Sequence, residues 1–223
     1  MQSIFSLSIS LWALAYSGAA VAETDSMLWT SAAVKVELPH EFEVGVVQNV
    51  RWDHGMSDLE SILPEAVVKV EPLQWLSLGT VYRYIAERSK SGDLEYGHRV
   101  LMYTGAEQKL GPIELAYRFG FQVKNELDEE ELAKRIRNRL GLKYDTDTAF
   151  TPYTAIELYT EPGPPDLEHK KYRITVGCAA KIAEHHRLKI GYRKQSELDE
   201  GDEGDLEHIV LLDYTFKFSL VND

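Results

Sequence analysis

The chain has 223 residues, 27% of them charged, with 36 acidic against 24 basic side chains and a formal net charge of −12. So acidic a protein is a poor fit to nucleic acid, whose phosphates draw on a basic surface, and we expect no nucleic-acid partner. Its length suits one β domain or two small domains, and past the first 22 residues no apolar run is long enough for a membrane-crossing helix.

Residues 4–22, IFSLSISLWALAYSGAAVA, are one uncharged apolar run ending in Ala20, Val21 and Ala22. An apolar core followed by a small-x-small site has the form of a secretory signal peptide, with cleavage expected between Ala22 and Glu23. The n-region MQS lacks Lys and Arg. The alternative, an uncleaved anchor, would want a basic flank after the run, and none follows. The domain plan is therefore a signal peptide over 1–22 and one domain over 23–223. The single cysteine, Cys178, cannot pair within the chain, and no cysteine stands at the cleavage point. Neither a disulfide framework nor a lipidated N-terminus is expected.

From Glu23 onward one unit recurs: an alternating segment, a tight turn, a second alternating segment and a longer acidic connection. Eleven segments are visible, at 28–38, 42–53, 61–71, 76–87, 99–109, 113–124, 134–145, 150–161, 171–183, 187–197 and 208–218. Each is about the length that a tilted strand needs to cross a bilayer. Only 126–134, acidic, leaves room for a helical turn. The connections alternate between short (LPHE, EPLQ, KLGP, DTDT, EHH) and long (WDHGMSDLE, ERSKSGDLEYG, NELDEEEL, EPGPPDLEH, ELDEGDEGDLE). Short periplasmic turns and long outer loops are the pattern of outer-membrane barrels, which in bacterial single chains usually have an even strand number. The expected fold is all-β, a single antiparallel up-and-down transmembrane barrel of ten to twelve strands. Parity favours twelve, the extra strand being sought near 24–29 or in a merged segment.

The clearest alternation is AKRIRNRLGLKYD at 133–145. Arg135, Arg137, Arg139, Gly141 and Lys143 fall on one face of a strand; Ile136, Asn138, Leu140, Leu142 and Tyr144 fall on the other. The same two faces recur. One carries Leu115, Tyr117, Phe119 and Phe121, then Ile174, Val176 and Cys178, then Val210, Leu212 and Tyr214. The other carries Arg83, then Glu114 and Arg118, then Glu157, then Arg173 and Lys181, then Lys189 and Arg193, then Asp213, with Glu107 placed among them as a partner for the arginines. Gly79, Gly105, Gly120, Gly141, Gly177 and Gly191 share the charged face, where small residues relieve crowding in a narrow barrel. In a membrane barrel the apolar face meets lipid and the charged face lines the lumen; in a soluble barrel the faces swap. Aromatics near segment ends (Trp29, Trp52, Trp75, Tyr144, Tyr159, Tyr214, Phe218) read as interface girdles.

LWTSAAVKVELPHEFEVGVVQNVRW, LQWLSLGTVYRYIAER, RIRNRLGLKYD, HHRLKIGYRKQSE and the closing HIVLLDYTFKF together resemble an uncharacterised bacterial family, domain of unknown function 2490. The likeness spans essentially the whole mature chain. It implies an outer-membrane β-barrel, in contact with membrane lipid and lipopolysaccharide and with the barrel-insertion machinery. It implies no activity, no cofactor and no site. The terminal aromatics Tyr214, Phe216 and Phe218 fit the insertion signal, although residues 219–223 follow them.

Candidate chemistry is sparse. Arg135, Arg137 and Arg139 could pair with Glu114, Glu157 and Glu107 into a network that shuts the lumen, or form a basic stripe that favours anions in a small pore. His185 and His186 are turn neighbours, and His54 with Ser57 and Asp53 or Asp58 is the nearest approach to a hydrolytic constellation. The carboxylates at 128–131 and 199–205 match no EF-hand pattern; they are either solvated loops or sites where divalent cations bridge to lipopolysaccharide. The reading is a non-enzymatic outer-membrane protein, channel-like or structural. The alternatives are a lipid- or lipopolysaccharide-modifying enzyme and a soluble periplasmic ligand-binding barrel.

Overall fold

The computed structural model describes residues 26–89, 91–126, 132–163, 167–198 and 206–221. The expected signal peptide with its cleavage site at Ala20, Ala22 and Glu23, and the acidic clusters at 128–131 and 199–205, lie outside the described residues. Among those described, eleven strands form: β1 (Ser26–Leu38), β2 (Phe42–Asp53), β3 (Asp58–Leu73), β4 (Leu76–Arg88), β5 (Leu94–Leu110), β6 (Ile113–Glu126), β7 (Ala133–Tyr144), β8 (Phe150–Pro162), β9 (Leu167–Ala183), β10 (His186–Glu197) and β11 (Leu206–Ser219). No helix among the described residues is long and apolar enough to cross a membrane.

Each strand pairs antiparallel with the next, and the sheet closes on itself through β1 and β11. That closing pair is parallel, in register from Ser26 opposite His208 to Glu37 opposite Ser219. An odd number of alternating strands makes this unavoidable, since the first and last then run the same way. The count of eleven lies within the expected ten to twelve and corrects the twelve that parity favoured. Residues 26–29, where an extra strand was sought, are the start of β1 itself. The odd count also separates the two ends of the sheet. Ser26 starts at the rim of the long connections, and Ser219 ends at the rim of the tight turns.

At the turn rim the β1–β2 connection places His40 (φ 64°) and Glu41 (φ 61°) in the left-handed region. Two consecutive positive-φ residues suit the twist of a tight hairpin, but a side chain there costs about 1–2 kcal/mol. Glu41→Gly should therefore stabilise the barrel by up to about 1 kcal/mol once the extra freedom of glycine in the unfolded chain is set against it, seen as a raised denaturant midpoint. A lowered midpoint would mean that the Glu41 side chain itself holds the turn.

Large apolar side chains cover the outer face of the sheet, and polar ones are buried within. Facing outward are Val46 (61% exposed), Ile190 (56%), Leu140 (52%) and Met102 (51%), while Glu157 (5%) and Gln122 (3%) are buried inside. Tyrosine–histidine pairs stand on the outer face. Tyr82 lies 2.7 Å from His98 Nδ1 and Tyr192 is hydrogen-bonded to His208, both toward the long-connection rim. His186 and Tyr214 meet at 2.6 Å near the turn rim. Two of the aromatics read as girdle residues face the other way. Trp29 and Tyr159 lie on the inner face, because β1 begins before Trp29 and because Tyr159 shares the parity of Glu157 along β8.

The inner face is also tightly fitted. Tyr103 of β5 lies over Gly79, and the Tyr153 hydroxyl lies 2.6 Å from where a Cβ would stand on Gly177 and 2.8 Å from one on Gly191. A Cβ on Gly177 would also sit 2.5 Å from the Ile190 carbonyl oxygen. Gly177→Val must displace both a ring and a backbone group, so it should destabilise the barrel by about 1–3 kcal/mol. The check is the midpoint of thermal unfolding.

Candidate functional site

The chemistry of the inner face grows from the alternation of β7. Arg135, Arg137, Arg139 and Lys143 stand in register with Gln122, Gly120, Arg118 and Glu114 of β6, and Arg139 with Glu157 of β8. Glu157 is the hub. Arg137 donates to it from Nη2 at 2.8 Å and from Nε at 3.1 Å. Arg118, two strands away, donates at 3.4 Å, and the Tyr159 hydroxyl binds the other carboxylate oxygen at 3.0 Å. Arg137 also donates to Gln122 at 3.1 Å. A second hub is Glu65 of β3, paired with Arg83 and, at 3.5 Å, with Arg99. Nearer the turn rim Glu43 takes Lys35 and Lys217, both at 2.8 Å.

Several of these links skip a strand: Arg118 on β6 reaches β8, Lys124 on β6 reaches Glu87 on β4 at 3.0 Å, and Lys217 on β11 reaches β2. Such side chains lie across chords of the lumen. The arginine partners read from sequence are corrected in two of three cases. Glu157 does take Arg137, but Glu114 is taken by Lys143 at 2.5 Å, and Glu107 sits exposed at the turn end of β5. Cross-strand stagger, which alternation alone does not reveal, decides these pairs. The buried Nε of Arg135 has no hydrogen-bond partner.

Between the hubs is a cavity of about 240 Å³ lined by Arg51, Arg83, Arg99, Arg118, Arg137, Arg139, Arg173 and Arg193, with Glu65, Glu157 and Asp213 as its carboxylates. Trp29 stands at its side with three guanidinium groups around the indole, Arg51 at 3.9 Å, Arg173 at 5.2 Å and Arg193 at 5.3 Å from the ring centre. Arg173 is further held by Gln195 and the Tyr159 hydroxyl, and Arg193 by Thr175 Oγ1 at 3.1 Å. Asp213 accepts from Ser31 at 2.6 Å. Lys189 stands opposite Asp213 in register, and Lys181 is exposed toward the turn rim.

The inner face changes character along the barrel. Toward the long-connection rim the inner face holds Leu63 (1% exposed), Ile209 (0%), Ile85, Leu101 and Ser61, all buried. These inward residues were not distinguished by sequence, nor were Arg51, Glu65 and Arg99, and Trp29 was read as a girdle residue. The parity of Gly45 on β2 and Gly105 on β5 was the available signal for the two arginines.

Elsewhere chemistry is not assembled. Ser57 donates to the carbonyl oxygen of His54 at 2.8 Å, away from the imidazole, whose Nδ1 lies 3.6 Å from Asp53 and 3.7 Å from Asp58. His185 meets Phe216 edge-on. Among the described residues no group of three or more His, Cys, Asp or Glu is placed to hold a metal ion.

Residues 26–205 match the family described as Protein of unknown function (DUF2490). The chain belongs to that family. No curated protein and no solved structure matches. The eleven-stranded barrel with its arginine-lined interior is thus the fold of a DUF2490 member.

Proposed function

We propose that this DUF2490 chain is an outer-membrane β-barrel of a Gram-negative cell, exported through the signal peptide at 1–22, with a non-enzymatic role and a lumen shut at rest by its own side chains. The observation that carries the reading is the inversion of polarity. An apolar outer face round a charged interior is unfavourable in water and favourable in a bilayer. The tyrosine–histidine pairs toward both rims suit headgroup depth, where amphipathic rings place an apolar body in the acyl region and a polar tip in water. Outer-membrane lipid is then the partner of Ile190, Leu140 and Met102, with lipopolysaccharide at the rim of the acidic connections.

The shut lumen distinguishes this from an open pore. Ion pairs that span chords and the buried Leu63 and Ile209 support closure. Fractionation with a heat-modifiability gel tests the membrane placement: the protein should need detergent for release and run faster unheated than boiled. Recovery in the soluble periplasm would sink it and leave a soluble ligand-binding barrel. Planar-bilayer recording tests the closure, with no discrete conductance steps expected. Stable steps in the wild type would show an open pathway instead.

A further inference from the structure

We propose that the lumen cavity is a binding site for a free, multiply charged phosphate anion of about pyrophosphate size. Its lining has eight guanidinium groups against three carboxylates. Glu65 is engaged by Arg83 and Arg99, Glu157 by Arg137 and Arg118, and Asp213 by Ser31. Among the described residues, Arg51, Arg139, Arg173 and Arg193 have no carboxylate oxygen within 4.0 Å. Arginine does not shed its proton to relieve such crowding, and an uncompensated buried charge is costly. Three of these four converge on one indole, whose own buried Nε1–H has no partner. The ring gives the three guanidinium groups a common anchor, so the donors are gathered before an anion arrives.

The chemistry selects the anion. Guanidinium forks match the paired oxygens of phosphate, and the indole N–H adds a further donor. The lining carries five more guanidinium groups than carboxylates, with the buried Glu60 carboxylate acting on Arg51 from outside it, and a halide is too small and too weakly charged to offset the excess. A cavity of about 240 Å³ lies below the roughly 300–1,000 Å³ typical of drug-sized ligands, which argues against a whole nucleotide. Lys143 and Lys181 stand exposed toward the turn rim, on the side of the cavity away from the buried Leu63 and Ile209, and entry from the turn rim, past the Glu43 ion pairs, is part of the proposal. The inference rests on the shut lumen and not on membrane placement, so a protein recovered in the soluble fraction is still expected to bind.

The test is isothermal titration of inorganic pyrophosphate into the folded full-length mature protein at physiological salt, with orthophosphate as comparison. Saturable one-to-one binding is expected, at least tenfold tighter than orthophosphate. Arg51→Gln and Arg193→Gln should each weaken it at least tenfold while keeping the mobility of the folded gel band, and Lys109→Gln at the turn rim should not. Pyrophosphate should also raise the temperature at which the wild-type gel band converts, as any ligand of the folded state does. No binding at millimolar pyrophosphate overturns the proposal. So does equal affinity for orthophosphate, or binding that survives unchanged in both arginine variants.

Discussion

Glu157→Ala is expected to lower the stability of the folded barrel by about 3–5 kcal/mol, the range for breaking a buried ion pair from one side. The carboxylate is 5% exposed and receives Arg137, Arg118 and the Tyr159 hydroxyl. Its removal leaves those donors facing each other and facing Arg139, Arg173 and Arg193 across the same cavity. The loss is larger than the worth of any one contact, because the remaining charges stay buried without compensation. Glu157→Gln keeps an acceptor for Arg137 and should fall between wild type and Ala. Glu114→Ala is the internal comparison: its partner Lys143 is 47% exposed near the rim, and a solvated pair contributes no more than about 1 kcal/mol. Urea unfolding followed by tryptophan fluorescence reads all three. A Glu157→Ala loss no greater than that of Glu114→Ala would mean that water fills the lumen and screens the hub.

The hub was half legible in the sequence. The faces of β7 follow from period-two alternation, and RIRNRLGLKY shows it plainly because its charged and apolar residues do not mix. Which carboxylate meets which arginine is a different kind of information. It depends on the stagger between strands, so Lys143 rather than an arginine takes Glu114, and Arg118 reaches two strands over to Glu157. Strand number was legible as well, since eleven alternating segments correspond to eleven strands. The parity argument pulled the count upward because it does not allow for a sheet closed by a parallel first–last pair. Strand ends were less visible. β5 begins at Leu94 and β9 at Leu167, inside stretches that read as loop, because backbone pairing continues past the point where hydropathy stops alternating. Trp29 shows the limit most clearly. Its position near a segment end suggested a girdle, while the parity of β1 turns it inward to become the ring around which three arginines gather.

The outer face gives the second large effect. Val176 sits in the middle of β9, 48% exposed, between Thr154 of β8 and Tyr192 of β10. In a bilayer Val176→Arg should destabilise the barrel by about 2–4 kcal/mol, the cost of a cation near the midplane of the lipid face, falling toward zero at the interfaces. The depth dependence is what separates the environments. Phe42→Arg, at the turn end of β2 and 44% exposed, should cost no more than about 1 kcal/mol if it lies at headgroup level. In water the order would differ. Both positions would then be exposed sites of the same kind, and an arginine at either would change stability by roughly 0.5 kcal/mol or less. Reversible unfolding from lipid vesicles measures the pair directly. A large loss at Val176 with a small one at Phe42 is the signature of an apolar band with lipid around it, and two small losses would mean that the exposed valines, leucines and isoleucines of this barrel are covered by something other than a membrane.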